Sequence, residues 1–158
     1  MTPPPSHYEN ERIAFATMHG KESLAQHAFV TALGAHVIAP PQLDTDLFGT
    51  FTGETPRTSS PRVTALAKAR RGMQLGHANF GLASEGTFSA GFGPVVENTE
   101  VLVFIDDILG LELVEGSITL SPLPGGRPIT SLNDAFAYAA TVGFPEQWII
   151  LQLSLIHI

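Results

Sequence analysis

A short apolar run, Ile13-Ala14-Phe15-Ala16, gives way at once to a polar turn, Thr17-Met18-His19-Gly20. Apolar residues then recur at helical spacing: Leu24, Ala25, Ala28, Phe29, Ala32 and Leu33. Gly34 stands where a helix ends in a left-handed residue, and Ala35-His36-Val37-Ile38-Ala39 before Pro40-Pro41 has the length and β-branched centre of a strand. Strand, helix and strand in that order spell a βαβ unit, whose two strands run parallel because a helix rather than a hairpin joins them. This unit commits the chain to an α/β fold.

The later segments agree with that class. Ser60 and Pro61 open a second helix as N-cap and first-turn residue, continued by Val63, Leu66, Ala67, Arg70 and Met73 and ending near Gly76. Residues 80–84 read as a third strand that runs into a turn at Glu85-Gly86-Thr87-Phe88, with 86–94 as a glycine-rich loop. Residues 101–105 are the strongest strand, and 111–114 with 117–120 suggest a short antiparallel meander around Gly110 and Gly116. Ser131 caps a helix that ends at Gly143, and 148–151 read as a last strand. The expected fold is α/β and three-layered, a mixed β-sheet flanked by helices in a single domain.

With 158 residues the chain is long enough to bury a real core in one domain. Eight basic residues against 15 acidic ones leave a net charge of −7, and Arg70-Arg71 is the only adjacent basic pair, which argues against a nucleic-acid partner. No apolar run reaches the roughly 18 residues of a spanning helix, so no membrane partner is expected. There is no cysteine, hence no thiolate metal site and no cysteine nucleophile. Residues 1–11, Pro-rich and then polar, read as a disordered leader; 12–152 read as the domain; and 153–158, which resemble translated adapter sequence, read as a non-native tail. A start without the basic and apolar regions of a secretory signal makes the cytoplasm the expected location. The oligomeric state is not legible.

Three segments carry the residue types of chemistry. In Ala16-Thr17-Met18-His19-Gly20-Lys21-Glu22 a strand's carboxyl end meets a helix N-terminus, where unpaired amides, the Thr17 hydroxyl, His19, Gly20 and Lys21 suit a phosphate or carboxylate. The glycine spacing of a P-loop is missing. A capped helix with Thr17 as its cap is the plainer alternative. In Asp44-Thr45-Asp46-Leu47-Phe48-Gly49-Thr50-Phe51-Thr52-Gly53-Glu54, three carboxylates among hydroxyls suit Mg²⁺ or Mn²⁺ bound together with substrate phosphates, although the EF-hand spacing is absent. In Leu82-Ala83-Ser84-Glu85-Gly86-Thr87-Phe88 a strand ends in an acid and then Gly, which places Glu85 at the sheet's carboxyl edge to hold a metal or activate water, with a surface turn bearing an exposed Glu as the plainer alternative; replacement by glutamine keeps volume and hydrogen-bonding capacity and would leave the fold intact. Lys68 on the second helix would add positive charge. His27, His36 and His77 form no metal-binding spacing.

At these three motifs the chain resembles a bacterial family known only as a domain of unknown function, over about residues 12–151. Members of that family usually continue into a Cys-rich, zinc-ribbon-like segment, so the resemblance implies a truncated fragment. They also carry a Gly-Pro-His-Pro run where this chain has Ser89-Ala90-Gly91-Phe92-Gly93-Pro94. More distantly, the order of elements is similar to that of nucleoside-triphosphate pyrophosphatases of the inosine-triphosphatase and Maf type. That likeness implies a phosphate-binding turn at Thr17 to Lys21, a Lys68-Ala69 helix and an acid–Gly–Thr turn at Glu85-Gly86-Thr87.

The leading expectation is a metal-dependent hydrolase of phosphorylated small molecules, acting on a phosphoric anhydride. Glu85 would be the catalytic carboxylate; Asp44, Asp46, Glu54 and Glu85 would hold Mg²⁺ or Mn²⁺; Thr17, His19, Gly20, Lys21, Lys68, Ser84 and Thr87 would bind substrate. The alternative is a non-catalytic module that binds a small anionic ligand in the same crevice or regulates through it. A third reading is an interaction domain completed by the Cys-rich extension.

Overall fold

The computed structural model describes residues 6–17, 20–49, 58–90, 95–122, 127–145, 149 and 151. The chain divides into two compact units, Met1–Ser121 and Pro122–Ile158.

The first unit grows from the expected βαβ. β1 (Arg12–Ala16), α1 (Glu22–Leu33) and β2 (His36–Ile38) follow one another, with β1 and β2 parallel and Ile13 level with Val37. Gly34 ends α1 at φ 70° and turns its N–H back to the Val30 carbonyl, a conformation that suits glycine. α2 (Pro61–Gly76) starts with Pro61 and is capped by Ser60, whose Oγ accepts from Val63 N. β3 (Phe80–Ala90) then lies on the other side of β1, parallel to it, with Ala16 level with Ala83. β4 (Val95–Asp106) runs antiparallel to β3 along its length, and β5 (Leu111–Pro122) forms the far edge after a turn at Gly110. The sheet order is β2-β1-β3-β4-β5.

Alternation along the inner strands decides which helix covers which face. Ile13, Phe15, Phe80 and Leu82 pack with Val37 against Ala25, Phe29 and Leu33 of α1. Ala16, Ala83, Val103 and Ile105 pack against Ala65, Ala69 and Met73 of α2. One helix on each face of a mixed sheet gives the three layers expected of the sequence.

The faces that pack are not the stripes that apolar spacing suggested. Val63 and Leu24, both counted among the helical apolar residues, are 53% and 79% exposed. α2 meets the sheet through its smallest residues instead. A Cβ on Gly72 would lie 3.2 Å from the Ala16 Cβ, and one on Gly76 would lie 3.1 Å from the Ala14 Cβ. The helix backbone therefore approaches the sheet closely, and the tightest point is Gly81, where a Cβ would stand 2.6 Å from Met73 Sδ and 3.1 Å from the Ala69 carbonyl. Gly81→Ala is expected to lower stability by about 1–3 kcal/mol, the usual cost of overpacking a core. Urea midpoints of Gly81→Ala, Met73→Ala and the double variant check it. A shared contact predicts a double loss smaller than the sum, and simple additivity would assign the cost elsewhere.

Three expectations change. β3 does not stop at Ser84: it continues through Ala90, so Glu85-Gly86-Thr87-Phe88 is strand rather than turn, and only 91–94 of the expected loop lie outside the described residues. Pairing explains this, because β4 offers a partner for every residue from Phe80 to Ala90. β5 is one strand through Gly116 rather than two short ones. The leader is held from Ser6 onward: Asn10 N donates to the Gly34 carbonyl, and the Tyr8 ring meets Phe80 and Phe104 edge-on at 5.4 and 5.6 Å. A half-buried aromatic contact offsets the entropy that composition alone charged against this segment.

In the second unit, α3 (Leu132–Thr141) is capped by Ser131, whose Oγ accepts from Asp134 N at 3.1 Å. Arg127 pairs with Asp134 and lies over the Tyr138 ring at 5.3 Å. Of the expected last strand, residues 148 and 150 lie outside the described residues, while Ile149 and Leu151 belong to no regular element. The tail at 153–158 also lies outside them, as do residue 152 and residues 1–5.

Candidate functional site

β1 ends at Ala16 while its parallel neighbour β3 runs on past Ala83, so a ledge opens beyond the carboxyl end of β1. In open α/β sheets this is where ligands sit. Thr17 is buried as the chain leaves β1, Gly20 adopts φ 71°, and Lys21 becomes the N-cap of α1. Lys21, not Thr17, stands at the N-cap of α1, and its side chain makes no capping hydrogen bond, unlike the plainer reading with Thr17 as the cap. Lys21 Nζ instead donates to Ser84 Oγ at 2.9 Å and to Glu100 Oε1 at 3.0 Å. The first and third motifs therefore meet at this edge, bridged by a lysine and a serine 63 positions apart in the chain.

Glu85 lies one residue further along β3 and so faces the other way, toward α2. Its Oε2 is 2.5 Å from Lys68 Nζ, and the two side chains are only 3% and 10% exposed. Glu85 is therefore no exposed turn residue, because continued strand pairing holds it under α2. Lys21 and Lys68 flank β3 from opposite faces, each matched by a carboxylate. Thr87, on the same strand face as Glu85, is level with Thr99 of β4.

The second motif divides. Leu43 joins the α2-side core, Thr45 is buried, and Asp44 Oδ1 accepts from Asp46 N at 2.9 Å, an Asx turn that opens a short 3₁₀ turn at Asp46–Phe48. Leu47 and Phe48 line a cavity of about 170 Å³ with Thr58, Ser59, Val63, Thr64 and Ala67, against the first turns of α2. Asp44 and Asp46 are exposed. Among the described residues no three His, Asp or Glu side chains gather as a metal-holding group, so Asp44, Asp46 and Glu85 do not make one by themselves. The reason is local: one aspartate is engaged by its own turn, and the glutamate is engaged under α2. Glu54 and His19 lie outside the described residues.

Two groups were missed. Glu100 sits in a polar stretch ahead of the apolar run 101–105, and only the long β3–β4 register, which sets it level with Gly86, brings it to the ledge. Asp106, at the opposite end of the sheet, is fully buried. Its Oδ1 accepts from Ile108 N and Leu109 N at 2.8 and 2.9 Å, and its Oδ2 accepts from Tyr8 Oη at 3.2 Å with His7 Nε2 also at 3.2 Å. Burial works against the charged form, but those donors and the His7 charge outweigh it and hold the Asp106 pKa below the ordinary carboxylate value. Burial and the same carboxylate push the Tyr8 hydroxyl up. An aspartate closing a strand just ahead of a Gly turn was the available signal.

No family model matches the chain, and no curated protein matches it. No helix among the described residues is long and apolar enough to cross a membrane.

Proposed function

We propose that the protein binds a phosphorylated small molecule at the ledge beyond β1. The observation that carries this reading is Lys21: it begins a helix whose N-terminus has no side-chain cap, and its ammonium already bridges to Ser84 on the neighbouring strand. The Ser23 and Leu24 amides already donate to the Gly20 and Lys21 carbonyls, so the positive end of the α1 dipole, Lys21 and Ser84 are what favour an anion there. The Lys21–Glu100 pair is 43% and 37% exposed, a class of ion pair worth ~0–1 kcal/mol, so a phosphate can take the place of Glu100 at small cost.

Calorimetric titration with inorganic pyrophosphate and a nucleoside triphosphate tests this. Lys21→Ala is expected to weaken binding by about 10–100-fold, the worth of a charge-assisted hydrogen bond. Equal affinity in the variant would remove the ledge from consideration.

A second reading is hydrolysis of the bound phosphate ester or anhydride with Mg²⁺ or Mn²⁺, in which Glu85 would have to act from the α2 face of β3, where it pairs with Lys68. The side chains of Lys21, Glu100, Lys68 and Glu85 sum to no net charge, so a divalent cation arriving with the substrate would supply the positive charge that phosphoryl transfer needs. Turnover of a nucleotide and pyrophosphate panel that requires the metal supports it. Binding without turnover leaves the binding module.

A further inference from the structure

On the reading that the ledge beyond β1 binds a phosphate, on which this rests, we infer that Glu100 is the protein's ligand for a divalent cation that it holds jointly with that phosphate. The ledge then takes a metal–phosphate complex in preference to the free anion. Lys21 Nζ has three N–H donors, and among the described residues Ser84 Oγ at 2.9 Å and Glu100 Oε1 at 3.0 Å take two of them. The third is left for a phosphate oxygen, which can arrive without displacing Glu100. Acceptors on two arms of one ammonium lie about 4–5 Å apart, so the phosphate and the Glu100 carboxylate become close neighbours of like charge.

Glu100 cannot withdraw far from that neighbour. β4 pairs with β3 residue by residue, which fixes Glu100 level with Gly86, and Gly86 puts no side chain beside it. A divalent cation turns the repulsion into a bridge. Mg²⁺ binds hard oxygens at about 2.0–2.1 Å, uses one or two carboxylates together with substrate phosphates, and keeps water in its remaining positions. Oxygens sharing such a cation lie about 3–4 Å apart, roughly 1 Å closer than on the ammonium, which a small change in the Glu100 side-chain torsions supplies. Strand alternation singles out Glu100 for this part. Of the carboxylates that β3 and β4 place at this end of the sheet, Glu85 and Glu97 stand on the opposite face, and Glu100 stands with Ser84 and Lys21. Its side chain is 37% exposed, open to a cation carried in by the ligand. One carboxylate is too few to hold the cation without the phosphate, in keeping with the lack of three gathered His, Asp or Glu side chains among the described residues.

Calorimetric titration of the full chain with inorganic pyrophosphate, in EDTA and again in excess Mg²⁺ at matched ionic strength, compares wild type with Glu100→Gln and Lys21→Ala. Without the cation the Glu100 charge only opposes the phosphate, and exposed charges are worth little, so Glu100→Gln is expected to bind up to about fivefold tighter than wild type. With Mg²⁺ the order reverses. Wild type is then expected to bind at least about tenfold tighter than Glu100→Gln, since even the groups that merely orient a metal's ligands are commonly worth that much. Glu100→Thr, which removes the carboxylate from the same strand position, should show the same reversal. Lys21→Ala should bind more weakly than wild type in both media. If Mg²⁺ leaves the order of wild type and Glu100→Gln unchanged, the carboxylate does not hold the cation and the inference fails, while the ledge stands as long as Lys21→Ala weakens binding. A chain that binds pyrophosphate in neither medium, or equally well without Lys21, overturns the inference and the reading beneath it together.

Discussion

Glu85→Gln is expected to lower the melting temperature by roughly 6–20 °C. Removing one partner of a buried ion pair leaves the other charge uncompensated, which costs about 3–5 kcal/mol, and each kilocalorie shifts a domain of this size by ~2–4 °C. Lys68 is the charge left behind, with a side chain only 10% exposed beneath α2. Lys68→Met should also destabilise, by taking the ammonium away from the buried Glu85 carboxylate. The double variant Lys68→Met/Glu85→Leu should recover most of the loss, because well-packed apolar groups commonly replace a buried pair at no net cost. Thermal unfolding followed by circular dichroism compares the three. If the double variant is as unstable as the sum of the singles, the pair is not what holds these positions. The expectation that glutamine at position 85 leaves the fold intact rested on kept volume and hydrogen-bonding capacity, and it left out the Lys68 charge buried against Glu85. Any loss of turnover in Glu85→Gln therefore has to be read at a temperature where the variant is still folded.

The βαβ unit and the caps at Ser60, Ser131 and Gly34 were legible because each depends on neighbours in the chain. Periodicity identifies a helix and a turn residue ends it, with no long-range information needed. What failed depended on partners far away. Nothing local says that residues 85–90 continue as strand, since glycine, serine and threonine there look like a loop until β4 is placed beside them. The inner face of α2 was obscured for a related reason. Its contact residues are Ala65, Ala69, Gly72 and Gly76, which carry little hydrophobic signal, because the sheet beneath them is itself lined by Ala14, Ala16, Gly81 and Ala83.

The candidate site divides along the same line. Thr17, Lys21 and Ser84 were placed at one edge from the rule that ligands gather at the carboxyl ends of parallel strands, and Lys21 does reach Ser84. Strand alternation, which sets adjacent residues on opposite faces, put Ser84 and Glu85 on different sides of the sheet. Reading Glu85 as strand rather than turn would have revealed the separation. Glu100 needed the β3–β4 register. Asp106 needed the leader to be folded, a step that its composition argued against.

Asp106→Ala should destabilise the fold by roughly 2–3 kcal/mol at neutral pH, since it removes a buried charged acceptor and strands the Tyr8 hydroxyl. The leader is then expected to detach, uncovering Phe80 and making residues 6–11 the first site of proteolytic nicking. The effect depends on pH with a definite sign. Hydrogen bonding holds the Asp106 pKa in the folded chain below its unfolded value. Its contribution is therefore complete above the unfolded pKa of ~3.9 and is lost as pH falls through the lower folded value. The difference in unfolding free energy between wild type and Asp106→Ala should be constant from neutral pH down to about 5 and shrink below about 4. Asp134, also held below the ordinary value by its Arg127 hydrogen bond, is present in both proteins, so the comparison uses the difference between the two rather than either curve alone. A difference that stays the same at pH 3 as at pH 7 would mean that the Asp106 charge does not hold the clasp, and that Tyr8 is kept in place by ring contacts with Phe80 and Phe104 alone.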